Sequence, residues 1–530
     1  MLPSAAPVFR RQAFREEQRL MLRRVFQLRS FARYSWERIR VHQKERGRLP
    51  HLTELPSLVR KAFRSWRAVY LRVSPELPPR FESASLTFQI PDPIDPHDAW
   101  LEVNQPNARR EQAQRETASG QSLKPIRTLM CAFNLNRDGA PHSQYELTVG
   151  LKEQGVIDPI VYSPTDGPLR KAYERHGISV RTFKHPLAGI SGAADYDKRI
   201  RDFARQVEDW NVELVYGNTL PTFYAIDAAH QLNLPSVWNP RESEPWQTYF
   251  DFLPTEIARR ALECFRYPYR IVFVSNASLD VWRPLNSRHN YMVIHNGLNR
   301  ERFAAALRRW PRDRARKRLR IAPGQVTILL PGTICARKGQ LDLIEAVGLM
   351  SEAHASQIKC LMVGRRASAY FEQVRRAYQA LPAHRRARIK IVAETSDPAL
   401  YYAAADIFVC CSRIESFPRV ILEAMAARLP IVTTPVFGIA EQVQDEVSAL
   451  FYQPGDAGAL AEAITKLLDD LPLRESLAAK TTAALDALID FDSMVDKYAE
   501  VFREAWLSGG TRARDEEVSQ TSPQAQGTVA

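Results

Sequence analysis

From residue 126 onward, short runs rich in Val, Ile and Leu alternate with stretches whose apolar residues recur three or four positions apart. A run that is apolar throughout suits a strand buried on both faces, and three-to-four spacing suits one face of a helix. The pattern predicts strands at 126–133, 158–162, near Val180, and at 214–216, 236–238, 271–275 and 292–294. Helices are expected between them at 143–154, 196–210 and 221–231. The alternation restarts with a strand at 326–330 and continues through strands at 358–363, 389–392, 407–410 and 431–434, ending in a helix at 491–506. Strand–helix alternation implies parallel sheets covered on both faces. The fold class is therefore α/β, with two Rossmann-like, doubly wound domains at 121–305 and 306–490 and their boundary near 300–325.

The first 120 residues have another texture. Residues 8–48 read as a long helix with arginine on most faces, and 56–73 as a helix with Val59, Phe63, Trp66 and Tyr70 along one stripe. Arg60, Lys61, Arg64 and Arg67 take its other faces. Such a basic amphipathic helix has two readings: its stripe packs on the main body, or it anchors the chain on an anionic membrane surface or acidic partner. Nucleic acid is not expected, because no nucleic-acid motif accompanies the charge. A Pro-rich and then polar segment at 74–124 reads as a linker with a short helix near Trp100, and the polar tail 508–530 as disordered.

Charge sharpens that division. Residues 1–80 hold 19 Lys and Arg against 6 Asp and Glu, which accounts for the whole formal excess of +13. The rest is balanced, so the excess describes an appendage and not a site. With 530 residues and 45% hydrophobic content, the chain can build two or three cores. No apolar run approaches the ~20 residues that span a bilayer, and the Arg-rich start from Arg10 lacks the apolar centre of an export signal. Cys131, Cys264, Cys335, Cys360, Cys410 and Cys411 show no metal spacing. Most of them read as small core residues of a protein in the reducing cytoplasm.

Ligands of doubly wound domains bind beyond the carboxyl ends of the strands. Strand 326–330 runs into Pro331-Gly332-Thr333 and then Arg337-Lys338-Gly339, where the two cations are read as opening a helix and clamping a diphosphate. Gly364-Arg365-Arg366 follows the next strand, and Glu394-Thr395-Ser396-Asp397 the one after, as a helix cap. Strand 407–410 leads to Glu415-Ser416-Phe417-Pro418-Arg419-Val420-Ile421-Leu422-Glu423. Here two carboxylates frame a strand-to-helix turn, with Pro418 at the expected first helical position. The turn aims unpaired amides from Phe417, Arg419 and Val420 outward, which suits a phosphate beside a carboxylate that can hold sugar hydroxyls.

These segments, in this order, resemble the family 4 (group 1) retaining glycosyltransferases of GT-B fold. The resemblance rests on Val293-Ile294-His295-Asn296-Gly297, Gly332…Arg337-Lys338-Gly339-Gln340, Leu361…Gly364, Tyr401…Asp406, Glu415…Glu423, Gly438-Ile439-Ala440-Glu441 and Pro454-Gly455-Asp456. It is strong over 290–505, weaker over 125–290, and does not reach the first 120 residues. Asp138-Gly139-Ala140-Pro141-His142-Ser143…Glu146 resembles the glycine loop facing donor phosphates and acceptor, and Arg241-Glu242 stands where many members carry His-Glu. Glu242 is read as orienting Arg241 or as its partner in a structural pair. Three further departures stand out: Thr333 replaces a frequent arginine, leaving Arg337 to take over its grip, while Ser416 replaces a glycine and Cys411 a proline.

The resemblance implies that Glu415, with Arg337 and Lys338, serves catalysis, and that Glu423 grips ribose hydroxyls. Gly332, Gly364, Glu394, Ser416, Phe417, Pro418, Arg419 and Val420 would bind the donor, and Gly139, Ala140, Arg241 and Glu242 the acceptor and phosphates. It implies hexosyl transfer from a UDP- or GDP-sugar to a glycan or lipid-linked acceptor, with retention by same-face displacement and neither metal nor cofactor. Cell-surface polysaccharide synthesis at the inner face of a membrane would follow, with the last helix packing back on the first domain. The Arg241 and Thr333 departures keep a second reading open, a catalytically weak nucleotide-sugar-binding scaffold. Hydrolysis by the carboxylate pair and sugar-nucleotide isomerisation rank below both.

Overall fold

The computed structural model describes residues 88, 90–104, 107–118 and 123–509. The chain divides into units at 1–72 and 73–530, and both sheets belong to the second. The predicted helices at 8–48 and 56–73, and the tail beyond 509, lie outside the described residues.

The first sheet holds β1 (Ile126–Cys131), β2 (Ile157–Ser163), β3 (Ser179–Thr182), β4 (Leu214–Asn218), β5 (Ser236–Asn239), β6 (Arg270–Phe273) and β7 (Tyr291–Val293), in the order β3-β2-β1-β4-β5-β6-β7. The second holds β8 (Val326–Pro331), β9 (Ile358–Arg365), β10 (Ile389–Ala393), β11 (Ile407–Cys410), β12 (Ile431–Thr433) and β13 (Leu450–Phe451), in the order β10-β9-β8-β11-β12-β13. Neighbouring strands pair in parallel, with Leu129 opposite Ile160 and Val215, and Ile328 opposite Cys360 and Ile407.

The apolar runs read as doubly buried strands because both faces are covered. In β1, Leu129 and Cys131 enter one core while Ile126 and Met130 enter the other, as a two-residue side-chain period requires. In β11, Phe408 and Cys410 take one side and Ile407 and Val409 the other. Strand order reverses between β1 and β4 and again between β8 and β11, so each sheet opens a crevice at its carboxyl edge there.

The helix Phe491–Ser508 buries Met494, Val495, Tyr498, Val501 and Phe502 in the core of the first sheet. Its start is capped by Asp490, which accepts from the Ser493 amide at 2.7 Å. In the segment read as a linker, the short helix expected near Trp100 is present at Pro96–Asn104, and a second helix, Ala108–Ala118, was not expected. Polar groups seat it: the Asn107 carboxamide donates to the Leu507 carbonyl at 2.7 Å, and Arg109 donates to the Trp506 carbonyl at 3.1 Å. The Arg109 guanidinium also lies 5.4 Å over the Trp506 ring.

Two further boundaries differ from the sequence reading. The helix predicted at 143–154 begins four residues earlier and runs Gly139–Glu153, so Gly139 and Ala140 form its first turn and not a loop. Arg337 and Lys338 do not open a helix. They sit on a single 3-10 turn, Ala336–Lys338, closed by left-handed Gly339, and the helix Leu341–Leu349 follows it.

Candidate functional site

At the carboxyl edge of β11 the chain turns through Ser412 and Arg413, and the Glu415 carboxylate folds inward. Glu415 Oε1 contacts Lys338 Nζ, lies 3.1 Å from Arg337 Nη1 and accepts from the Ser412 hydroxyl at 3.2 Å. The Glu415 side chain is 8% exposed and that of Lys338 14%, whereas Arg337 keeps 46% of its surface. Burial alone would raise the Glu415 pKa. Lys338 and then Arg337 outweigh it and hold the carboxyl below its ordinary range. The Arg413 amide donates to the Arg337 carbonyl at 2.7 Å, which locks the cationic turn to the acidic one.

The helix Arg419–Ala426 opens directly after this turn, with Pro418 as its cap and not its first residue. Among the described residues, the amides of Arg419 and Val420 donate to no protein acceptor, as expected of a first helical turn. Glu423 lies one turn further on, where its Oε2 accepts from the Tyr402 hydroxyl at 2.9 Å. Burial raises its pKa, against the pull of Arg419 and Tyr402. The two glutamates of one motif are thus biased in opposite directions by their surroundings.

The first domain closes over this edge. Glu146, on the helix Gly139–Glu153, meets Arg419 Nη1 at 2.6 Å, His142 Nε2 at 3.4 Å and Arg302 Nη1 at 3.7 Å. Burial works to raise the Glu146 pKa, but Arg419, His142 and Arg302 bring it down to about 2. Arg366 bridges Asp138, at 2.7 Å, and Glu394, while the Thr333 hydroxyl donates to Asp138 at 3.3 Å. Glu394 is therefore an ion-pair partner and does not cap a helix. The helix that follows, Ala399–Ala404, takes Pro398 as its cap, as the helix after Glu415 takes Pro418. Gly332 and Gly364 both take positive φ, of 127° and 128°, and a Cβ on Gly364 would lie 2.2 Å from the Gly332 carbonyl oxygen. Only glycine permits these two loops to pass so closely.

Arg241 and Glu242 do not pair through their side chains. Glu242 Oε2 accepts backbone amides, from Arg241 at 2.7 Å and Leu220 at 3.0 Å. Burial and then Glu244 push its pKa up to about 7. The Arg241 guanidinium donates instead to Asn218 Oδ1 at 3.2 Å and Asn296 Oδ1 at 2.7 Å. Ser416 uses its hydroxyl to join the domains, donating to the Arg241 carbonyl and meeting Ser243 Oγ, both at 2.8 Å. Phe417 turns its ring away into a stack on His295, with centroids 4.6 Å apart.

The structure thus gathers Glu415, Arg337, Lys338, Glu423 and the opening of the helix Arg419–Ala426 on one edge. Gly139, Ala140 and Arg241 face them from the other domain. The side chains of Phe417, Ser416, Glu394 and Glu242 are committed to protein partners. Sequence reasoning did not single out Glu146, Asn218, Asn296 or Glu441 as site residues, although Glu146, Asn296 and Glu441 lie inside the motifs that carry the resemblance.

Glu441 is a second interdomain clasp. It accepts from the amides of Asn276 at 3.0 Å and Ala277 at 2.8 Å, capping the helix Asn276–Trp282, and meets His295 Nε2 at 3.1 Å. Burial would raise its pKa, but His295 and those amides bring it to about 2. A carboxyl depressed in the folded state stabilises above its unfolded pKa, and that contribution fades as pH falls through the folded value. Glu441→Gln should therefore melt below the parent at pH 7, and the gap should close between pH ~5 and ~2. Thermal melts across that range check this, and a constant gap would contradict it.

The family described as glycosyl transferases group 1 matches residues 311–483, and glycosyltransferase family 4 matches residues 137–302. The chain belongs to the group 1, family 4 glycosyltransferases. A capsular polysaccharide biosynthesis glycosyltransferase of Staphylococcus aureus, CapM, is 34% identical over 89 residues, which is 17% of this chain and 23% of the relative. A D-inositol 3-phosphate glycosyltransferase of Geodermatophilus obscurus is 28% identical over 262 residues, covering 43% of this chain and 55% of the relative. The chain spans about half the length, or less, of these curated relatives. The crystal structure of Anabaena HepE in complex with UDP-glucose is 19% identical, with a TM-score of 0.60 over 71% of this chain and 99% of that one. The two facing sheet domains are thus the GT-B fold. No helix among the described residues is long and apolar enough to cross a membrane.

Proposed function

We propose that this chain transfers a hexose from a UDP- or GDP-sugar to a hydroxyl of a glycan or lipid-linked acceptor. The transfer retains configuration, needs no metal or cofactor, and serves cell-surface polysaccharide synthesis. The observation that carries this reading is the buried Glu415, held between Arg337 and Lys338 beside the free amides of Arg419 and Val420. When the bond from the anomeric carbon to the diphosphate breaks, its electron pair leaves on the phosphate oxygen. Arg337, Lys338 and the helix opening stabilise that charge. The acceptor oxygen bonds to the anomeric carbon on the same face, and its proton passes to the departing phosphate. Glu415 orients donor hydroxyls, Glu423 holds ribose hydroxyls, and closure of the two domains excludes competing water. The chain works in the cytoplasm, with the basic segment 1–80 at an anionic membrane surface.

Mass spectrometry of the full chain with a panel of UDP- and GDP-sugars, with chelator present, tests this. One donor should be slowly hydrolysed to nucleoside diphosphate and free sugar. Binding without any turnover, even with acceptor extracts, would instead favour a nucleotide-sugar-binding scaffold.

A further inference from the structure

Around this crevice, Arg337 and Lys338 face Glu415, Arg366 faces Asp138 and Glu394, and Arg419 and Arg302 face Glu146. Among the described residues, the Arg241 guanidinium makes no ion pair with a carboxylate, although the Glu242 carboxyl lies near enough to feel its charge. Its hydrogen-bond partners among the described residues are the carboxamide oxygens of Asn218 and Asn296 and the Tyr216 hydroxyl. A guanidinium carries five N–H donors, so donors remain after these neutral contacts.

Those contacts also fix its plane. Asn218 donates its own amide to the Ala140 carbonyl at 3.2 Å, and Asn296 donates to the Phe417 carbonyl at 2.9 Å. Both carboxamides are therefore locked with oxygen toward Arg241. One lock belongs to the first turn of the helix Gly139–Glu153 and the other to the turn that carries Glu415. The Arg241 carbonyl is bonded to Ser416, next in sequence to Glu415. The adjacent carboxylate, Glu242, is turned onto backbone amides and makes no hydrogen bond to the guanidinium. The result is a preorganised, partly buried positive fork tied through Asn296 to the turn that carries the carboxylate expected to hold the sugar.

We infer that Arg241 is a specificity-determining residue that binds a carboxylate or phosphate group on one of the two sugars meeting at the transfer point. The substrate class is then an acidic sugar, either a uronate donor or an acidic acceptor residue. A planar fork accepts such a group through two parallel charge-assisted hydrogen bonds, whereas a neutral hydroxymethyl group would leave the charge unpaired. This rests on the nucleotide-sugar reading above.

Calorimetry with the full chain tests it, using UDP, UDP-glucose against UDP-glucuronate, and GDP-mannose against GDP-mannuronate. The wild type should prefer one uronate donor by about tenfold or more. Arg241→Gln should abolish that preference while the variant still folds and binds UDP, and Arg241→Lys should keep part of it. If the anionic group belongs to the acceptor, donors will not be discriminated. Product formation on glucuronate-terminated or phosphorylated oligosaccharides, but not on glucose-terminated ones, will then fall about tenfold or more in Arg241→Gln. Identical behaviour of wild type and Arg241→Gln in both arms, with UDP still binding, overturns the inference alone. Failure of every nucleotide and nucleotide sugar to bind overturns the underlying reading and the inference with it.

Discussion

Glu415→Gln is expected to cut sugar turnover by about a hundred- to a thousandfold while UDP still binds. Glu415 stands between two cations, and the neutral amide cannot hold donor hydroxyls as a charged acceptor. The substitution also leaves Lys338, 14% exposed, without its counter-ion. Removing one partner of a buried pair costs on the order of 3 kcal/mol. A bound diphosphate restores the missing negative charge, so UDP should raise the melting temperature of the variant at least as much as that of the parent. Were Glu415 merely a structural counter-ion, the variant with UDP bound would turn over donor normally. Steady-state kinetics beside thermal melts with and without UDP separate the two outcomes.

Gly438→Ala should disable the site from a distance. A Cβ there would lie 1.6 Å from the Ser416 carbonyl oxygen and 2.9 Å from Ser275 Cβ. The Gly438 amide also donates to the Glu415 carbonyl at 3.3 Å. Ser416 cannot yield easily, because its hydroxyl is bonded to the Arg241 carbonyl and to Ser243. Either the turn shifts, taking Glu415 off Arg337 and Lys338, or the domains part. Overpacking of this kind costs about 1–3 kcal/mol, and donor affinity should fall about tenfold or more. Urea unfolding and calorimetry with UDP-sugar read the two effects, and unchanged values in both would refute the packing argument.

The strands that build the two sheets were legible because a doubly buried parallel strand must be apolar along its length. Residues 407–410 matched β11 throughout for that reason. β13, Leu450–Phe451, is too short to carry a pattern. The helix Ala108–Ala118 escaped because it is polar all round and is seated by hydrogen bonds and one ring contact with the last helix. The start at Gly139 was missed because Gly-Ala-Pro reads as a loop, although proline is tolerated in a first turn, where amides lack helical partners.

The site shows the same division. Glu415, Arg337 and Lys338 lie at the ends of neighbouring strands, and topology alone brings them together. Glu146 against Arg419, Arg366 across Asp138 and Glu394, and Glu441 on a helix of the other domain join distant segments. No local spacing encodes such pairs. Adjacency misled for Arg241 and Glu242, because the backbone sends their side chains to different partners.

The proposed diphosphate site is a cationic turn and a helix opening acting together. Calorimetric titration of wild type and an Arg337→Ala, Lys338→Ala double variant with the preferred nucleotide sugar, in chelator, tests that directly. The wild type should bind without metal and the variant should lose about a hundredfold or more in affinity, while still unfolding cooperatively at a lower melting temperature. Equal affinity in the two proteins, or binding that appears only when a divalent ion is added, would contradict it.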